Sequence, residues 1–350
     1  MPFDDVLGQP LAKRLLSSAL RSGRLAHAYL FHGPSGVGKV TAARSLFRAA
    51  LCPRAPWEGC SACPTCSRVD RGSHADVHYL FVPPGKRSLP VEDVRNLVAE
   101  TGRKPVEGGS RFFLIDEAHL LGEESASALL KTLEEPPART VLVLTALRAE
   151  AVLRTVRSRC QPIRFSRLEE SLVREALLER RAARDDAEAR AAARLAEGSL
   201  GDAIHLSAAG FVGARSRVAG ALLDAAGGRA MAGAAAVLGV AEDLSRDAKS
   251  REEKREAIRA VLRIVSASLR DAALLASGAA GDSESTLLLP DMRGELERLA
   301  ERLGPARASE GALRSLQAAD LIRQNLREEL VVESAFLSLA RAATAPASVL

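Results

Sequence analysis

The chain has 350 residues, of which 47% are hydrophobic and 27% charged, and its formal net charge is +5. This length and apolar content predict two or three domains with sizeable cores. No apolar run could span a bilayer and no secretory leader opens the chain, so we expect a cytoplasmic protein without membrane contact. Arginines and acidic residues are nearly balanced and aromatics are only 3%, which argues against a base-stacking nucleic-acid surface.

Five short apolar strands are predicted in the first half of the chain, alternating with helices. After a helical lead-in at 4–25, the strands are 28–32, 77–82, 111–117, 140–145 and 162–165, and the helices between them are 37–50, 90–101, 124–135 and 149–156. Apolar strands separated by helices predict a parallel sheet with helices on both faces.

From residue 168 onward only helical patterns remain. We expect about three helices up to residue 206, with a turn at 198–201, and further helices over 210–350 with a Gly/Ser-rich break at 277–285. An apolar stripe near the end comprises Ile322, Leu326, Leu330 and Leu337. The stripe predicts the core of a helical bundle, and a subunit interface is the alternative.

The strand at 28–32 runs into a glycine-rich loop and then into a helix. Gly33, Gly36 and Gly38, followed by Lys39, fit the pattern G-x-x-x-x-G-K. Glycines of this kind let backbone N–H groups surround a phosphate at a helix N-terminus, while the lysine reaches the terminal phosphates. The stretch therefore predicts a nucleotide-binding loop.

The next residue departs from the pattern. Val40 stands where a Ser or Thr hydroxyl would bind Mg²⁺, and Thr41 follows one position later, about 100° further around the helix. Binding of ATP and Mg²⁺ therefore stays open at this stage, including binding without hydrolysis.

Two carboxylates, Asp116 and Glu117, end the predicted strand at 111–117. Open α/β sheets bind ligands at the carboxyl ends of their strands. Beside a phosphate-binding loop, the first carboxylate is placed to hold Mg²⁺ through water and the second to orient an attacking water. The pair is predicted to belong to the same nucleotide site.

Four cysteines lie within fifteen residues, namely Cys52, Cys60, Cys63 and Cys66. The spacing C-x2-C-x2-C suits four thiolates around one structural Zn²⁺, and the expected reducing compartment argues against disulfides. Reduced thiols without metal are the alternative. His74 and His78 offer a second pair of ligands, but His78 falls in a predicted strand.

A third candidate is Arg159 in Ser158-Arg159-Cys160, just after the predicted helix at 149–156. An arginine here is either a solvated surface charge or an arginine finger that reaches the ATP of a neighbouring subunit and stabilises charge on the transferred phosphoryl group.

Together these motifs resemble the AAA+ subunits of the bacterial DNA polymerase III clamp loader. The resemblance rests on HAYLF-x-GP-x-GVGK at 27–39, the four-cysteine insertion, LIDEAHLL at 114–121, ALLKTLEEPP at 128–137 and TVRSRCQ at 155–161. The resemblance is strong over residues 4–206 and weak over the rest of the chain.

The resemblance implies three domains: a RecA-like AAA+ domain at 1–166 with a zinc module at about 52–66, a small helical lid at 167–209 and an all-α collar at 210–350. It implies a pentameric ring with other clamp-loader subunits, acting with the sliding clamp and primed DNA as part of the polymerase III holoenzyme. By position, it makes Gly33, Gly36, Gly38 and Lys39 phosphate contacts, Asp116 and Glu117 the magnesium-site pair, the four cysteines zinc ligands, and Arg159 a finger acting in trans.

Departures from the family pattern favour a subunit that does not hydrolyse ATP. Besides Val40, a family threonine falls on Ala146, next to Thr145, and an arginine of the motor subunits falls on Gly201. The first alternative is an ATP-hydrolysing motor subunit that uses Thr41 or water in place of the missing hydroxyl. A zinc-bearing DNA-binding module is the other alternative.

Overall fold

The computed structural model describes residues 2–83, 86, 88–107, 109–208, 210, 213–246, 248, 251–280, 286–323 and 326–344. The chain divides into two compact units. The first comprises residues 1–172 and 198–201, and the second comprises 173–197 and 202–350. None of the described helices is long and apolar enough to cross a membrane.

The first unit is a parallel α/β fold. Its elements are α1 (Pro10–Arg21), β1 (Ala28–His32), α2 (Lys39–Leu51), α3 (Pro64–Asp70), β2 (Val77–Leu80), α4 (Val91–Thr101), β3 (Arg111–Ile115), α5 (Glu123–Glu134), β4 (Thr140–Ala146), α6 (Arg154–Arg157) and β5 (Gln161–Arg164). The strands form one sheet in the order β2-β3-β4-β1-β5. Every paired strand is parallel to its neighbour.

Both faces of this sheet are covered, because alternate residues of each strand face opposite ways. In β1, Tyr29 and Phe31 join an apolar cluster with α1 and α2. Ala28 and Leu30 join a second cluster with α4 and α5 on the opposite face. A strand that is apolar on both faces belongs inside a parallel sheet, which confirms the predicted RecA-like α/β class.

The strand order places three carboxyl ends side by side. β4 lies between β3 and β1, so the loop after β1 and the carboxylates after β3 flank the end of β4. The predicted phosphate-binding loop and acidic pair thus meet at one edge of the sheet.

The second unit is helical, as predicted. Its helices are α7 (Glu170–Glu179), α8 (Asp186–Leu195), α9 (Leu200–Ala208), α10 (Arg215–Ala226), α11 (Ala230–Leu244), α12 (Arg251–Ala276), α13 (Arg293–Arg323) and α14 (Glu328–Thr344), of which α7 and α9 begin in the first unit. α13 is broken at Gly304, which is left-handed in φ and precedes Pro305. The break predicted at 277–285 begins where α12 ends, and residues 281–285 lie outside the described part.

Two predictions need correction. The helix expected at 149–156 is a 3-10 turn at Ala149–Ala151 followed by α6. The apolar stripe is not a bundle core: Ile322 is buried, but Leu326, Leu330 and Leu337 are 43%, 59% and 39% exposed. Ile322 belongs to α13, Leu326 lies between the helices, and Leu330 and Leu337 belong to α14, so the four residues are not one face of one helix. The core face of α14 instead carries the buried residues Val332, Phe336 and Leu339.

Candidate functional site

The glycine-rich loop joins β1 to α2 and is tied to the neighbouring strands. The Gly33 N–H donates to the Ala146 carbonyl at 3.1 Å. Gly33 has a φ of 150°, and a Cβ there would lie 2.2 Å from the Phe165 carbonyl oxygen. Only glycine fits this position, so the loop can follow the sheet edge closely.

Lys39 opens α2 with its side chain buried against the loop. Its Nζ donates to the carbonyl oxygens of Gly33 at 2.8 Å and Pro34 at 2.6 Å. Burial lowers the pKa of the lysine to about 8, while the nearby charges of Asp116 and Glu117 oppose the shift. The ammonium therefore contacts the loop itself and is influenced by the charges of the acidic pair.

Val40 packs against the hydrophobic core. Its partly buried side chain contacts the apolar cluster that covers the α2 face of the sheet. The structure thus places a hydrocarbon group on the core at the position where the pattern requires a magnesium ligand. Thr41 is partly buried one position further along α2.

The acidic pair follows β3 and is held by the end of β4. The Thr145 hydroxyl donates to the Asp116 carboxylate. The same oxygen accepts the Glu117 N–H at 3.1 Å, and Glu117 has a left-handed backbone with φ of 52°. Thr145 therefore bridges both carboxylate residues.

Sequence reasoning placed the family threonine on Ala146 and noted Thr145 only as its neighbour. In the structure Ala146 is buried in the opposite apolar cluster, and Thr145 faces the acidic pair. The alternation of β4 decides between the two, because adjacent strand residues point to opposite faces. Counting that alternation from the pairing of Leu144 with Leu30 and Ile115 would have found Thr145.

Residues 198–201 lie directly against the loop and belong to the same compact unit. The Gly201 N–H donates to the Gly36 carbonyl at 3.1 Å. A Cβ on Gly36, whose φ is 69°, would lie 2.1 Å from the Ser199 hydroxyl oxygen. Gly201, where the resemblance implies an arginine in motor subunits, thus contacts the loop through its backbone.

The four cysteines form one cluster between α2 and α3. Their sulfur atoms all lie within 4.8 Å of one another, and Cys52 Sγ is 3.9 Å from Cys63 Sγ. Four sulfurs around a zinc ion at 2.3 Å would be separated by about 3.8 Å. The donor set and its spacing therefore fit a tetrahedral zinc ion.

The surroundings of the cluster favour the thiolate form at Cys52 and Cys60, while at Cys66 a bound cation is needed to favour it. The backbone N–H groups of Ala55 and Cys60 donate to Cys52 Sγ at 3.3 and 3.4 Å. The Ala62 N–H lowers the pKa of Cys60 to about 6. Burial raises the pKa of Cys66 to about 12, a penalty on the thiolate that a zinc ion would offset.

The two histidines considered as alternative ligands lie elsewhere. His74 is buried, with Nε2 3.5 Å from a Glu107 oxygen. His78 is in β2 with Nε2 2.6 Å from Arg111 Nη2. Neither histidine joins the cysteine cluster in the part of the chain described.

Arg159 lies on the surface, between α6 and β5. Its guanidinium pairs with Glu134 at 2.6 Å and donates to the Thr155 carbonyl at 2.9 Å. Cys160, the next residue, is buried in an apolar cluster and fixes the segment to the core. The Arg159 side chain is thus about one third exposed and held by contacts within the chain.

The first unit combines a loop of the P-loop pattern, an acidic pair and a parallel sheet with helices on both faces, which is an AAA+-like fold. Residues 8–169 match the family model described as DNA polymerase III, delta subunit. The chain is 33% identical over 171 residues to the DNA polymerase III subunit delta' of Bacillus subtilis, covering 49% of this chain and 51% of that protein. It is 35% identical over 210 residues to subunit tau of Escherichia coli, covering 59% and 32%.

These matches fit a clamp-loader subunit of DNA polymerase III, and the family match extends over residues 8–169, just under half of the chain. It spans about half or less of the length of the curated relatives named here. A DNA polymerase III gamma subunit-related protein from Thermotoga maritima aligns with a TM-score of 0.41 at 13% identity, covering 94% of this chain and 99% of that one.

Proposed function

We propose that the chain is the delta-prime-type subunit of the bacterial clamp loader, a ring component that does not hydrolyse ATP. In this role it assembles with motor and delta-type subunits into a pentamer that loads the sliding clamp onto primed DNA in the cytoplasm. The RecA-like domain at 1–166, the lid at 167–209 and the collar at 210–350 would take the corresponding places in that ring.

The observation that carries this proposal is the packing of Val40 on the core. The valine side chain has no oxygen and packs on the apolar cluster, so the position after Lys39 offers no ligand to Mg²⁺. Gly201 supports the same conclusion, because it carries no side chain that could contact a phosphate, whereas Thr145 keeps a hydroxyl beside the acidic pair. Loss of such contacts typically costs a factor of about 10² or more each.

Arg159 supplies the chain's contribution to ATP chemistry in this proposal. The residue lies on the surface, away from the chain's own loop, and Cys160 anchors its backbone. A guanidinium presented in this way would stabilise the charge on the phosphoryl group of an adjacent motor subunit. Lys39 and the loop glycines would then serve a vestigial site, with ATP binding in the absence of hydrolysis.

The competing proposal is a motor subunit that hydrolyses ATP. Its support is the intact part of the site: Lys39 beside the loop, and Asp116 held by Thr145. The similarity to tau over 59% of the chain is compatible with either role.

Steady-state ATP turnover of the purified chain separates the two proposals. We expect no turnover above background with or without primed DNA, because the magnesium hydroxyl is missing. Lys39→Ala identifies contaminating activity, which it would leave in place. Turnover that is measurable in the native chain and lost in Lys39→Ala would exclude the non-hydrolysing role.

A further inference from the structure

Arg159 has partners within its own chain from two different elements. Nη1 donates to the Thr155 carbonyl at 2.9 Å and to the Ser158 hydroxyl at 3.3 Å, and Nη2 lies 2.6 Å from Glu134 Oε1. The first two partners belong to the α6 segment itself. Glu134 is different because it comes from α5.

Glu134 is the last residue of α5. A carboxylate at a helix C-terminus is repelled by the partial negative charge of the last carbonyl groups. A guanidinium beside it offsets that repulsion. The pair therefore gives the Arg159 guanidinium a fixed acceptor. It also stabilises the Glu134 carboxylate, whose negative charge is otherwise unfavourable at the end of a helix.

The contacts also leave some N–H donors of the guanidinium available. Arginine has five N–H donors, and the three contacts with the described residues use at most three of them. The remaining N–H groups can meet a phosphate of another molecule. A long side chain held at one position loses less conformational entropy when it binds such a phosphate.

We propose that Glu134 is a positioning residue for Arg159, holding the guanidinium in the direction from which it reaches a neighbouring subunit's ATP. This inference rests on the proposed role of Arg159 in trans. Glu134 touches neither nucleotide nor reacting atoms, and it acts through the orientation of Arg159 alone.

Turnover of ATP by the assembled clamp loader tests this role, using full-length chains. Relative to native complex, we expect Glu134→Ala to lower kcat three- to fivefold and to leave the KM for ATP unchanged, since the arginine acts at the transition state. Glu134→Gln keeps an acceptor oxygen, so its kcat should lie between those of the native and Glu134→Ala complexes. Glu135→Ala is the matched control, because it removes an exposed carboxylate from the adjacent position.

A double substitution separates orientation from general charge. In an Arg159→Ala background, Glu134→Ala should have no further effect on kcat, because its only route of action is gone. Complex formation, measured by size-exclusion chromatography with light scattering, should be the same for all variants. An equal loss in Glu135→Ala, or an additive loss in the double variant, would overturn the inference.

The same series distinguishes this inference from the function on which it rests. If Arg159→Ala lowers kcat while Glu134→Ala leaves it unchanged or raises it, the positioning role is wrong and the arginine finger stands. If Arg159→Ala itself has no effect, the proposed function fails and the positioning role fails with it.

Discussion

Thr145 links the two carboxylate residues of the site through one hydroxyl. It donates to Asp116 and accepts the Glu117 N–H, and its side chain is buried. Hydrogen bonds to charged groups contribute about 1.5–3 kcal/mol when buried. This residue is therefore structural support for the acidic pair whether or not the pair binds metal.

We expect Thr145→Val to lower the free energy of unfolding by about 2 kcal/mol, because Asp116 loses a donor at nearly constant side-chain volume. Urea unfolding followed by circular dichroism measures this change. Thr145→Ser retains the hydroxyl and should lose clearly less. No loss in Thr145→Val, or a larger loss in Thr145→Ser, would show that the hydrogen bond does not carry the effect.

Lys39 makes stability depend on pH. Burial lowers its pKa from 10.5 to about 8, so between these values the unfolded chain binds more protons than the folded chain. The free energy of unfolding contributed by this group therefore rises with pH across that window and is constant below it. Below pH 8 the buried charge therefore lowers the free energy of unfolding by on the order of 3 kcal/mol.

The comparison of native chain with Lys39→Met isolates this effect, because other lysines and tyrosines titrate in both proteins. We expect the native chain to gain stability relative to Lys39→Met between pH 8 and 10.5, as measured by urea unfolding at several pH values. A constant difference between the two proteins would mean that the lysine is not desolvated in the folded state.

At the scale of elements, the sheet and its loop were predictable and the end of the chain was not. The strands β1, β3 and β4 are apolar on both faces, so their positions follow from local pattern. Their exact ends did not: β2 ends at Leu80 and β3 at Ile115, each two residues before the predicted end. The stripe from Ile322 to Leu337 also has helical spacing. It failed because α13 ends at Arg323 and α14 starts at Glu328, and periodicity carries no information across such a break.

Within the site, residue types and spacing identified the loop, the acidic pair and the cysteines. The roles of Thr145 and Glu134 required contacts between segments distant in sequence, from β4 to β3 and from α5 to α6. Local patterns do not encode such pairings, although strand alternation would have found the first.

The segment that carries the cysteine cluster is tied to the rest of the first unit by ion pairs and hydrogen bonds. Arg68 of α3 forms two hydrogen bonds with Glu107, at 2.6 and 2.7 Å, and Asp70 pairs with Arg48 of α2 at 3.2 Å. Loss of zinc should therefore loosen the module at 52–66 without unfolding the sheet.

We expect one zinc ion per chain by elemental analysis and its loss in Cys63→Ser, because three thiolates hold zinc less tightly than four. Hydrogen exchange should then rise within 52–66 and stay unchanged in β1 and β4. Cys160→Ser, which alters the buried thiol outside the cluster, should retain the metal. A native chain purified without zinc, and unaffected by chelators, would contradict the site.

At the scale of the whole molecule, the chain's own nucleotide-site pattern and Arg159 have different consequences for ATP hydrolysis. The loop and acidic pair keep the pattern of an ATP site but lack the magnesium hydroxyl, while Arg159, in the proposed function, acts on the ATP of another molecule. The chain would then contribute to ATP hydrolysis only as part of an assembly.

ATP turnover of the assembled clamp loader containing Arg159→Ala tests this account most directly. We expect turnover at the adjacent motor site to fall by a factor of about 10² or more, with assembly unchanged, because an arginine finger acts on the transition state. Arg157→Ala, which removes a neighbouring charge of α6, should leave turnover near the native value. Native turnover with Arg159→Ala in a complete complex would contradict the account.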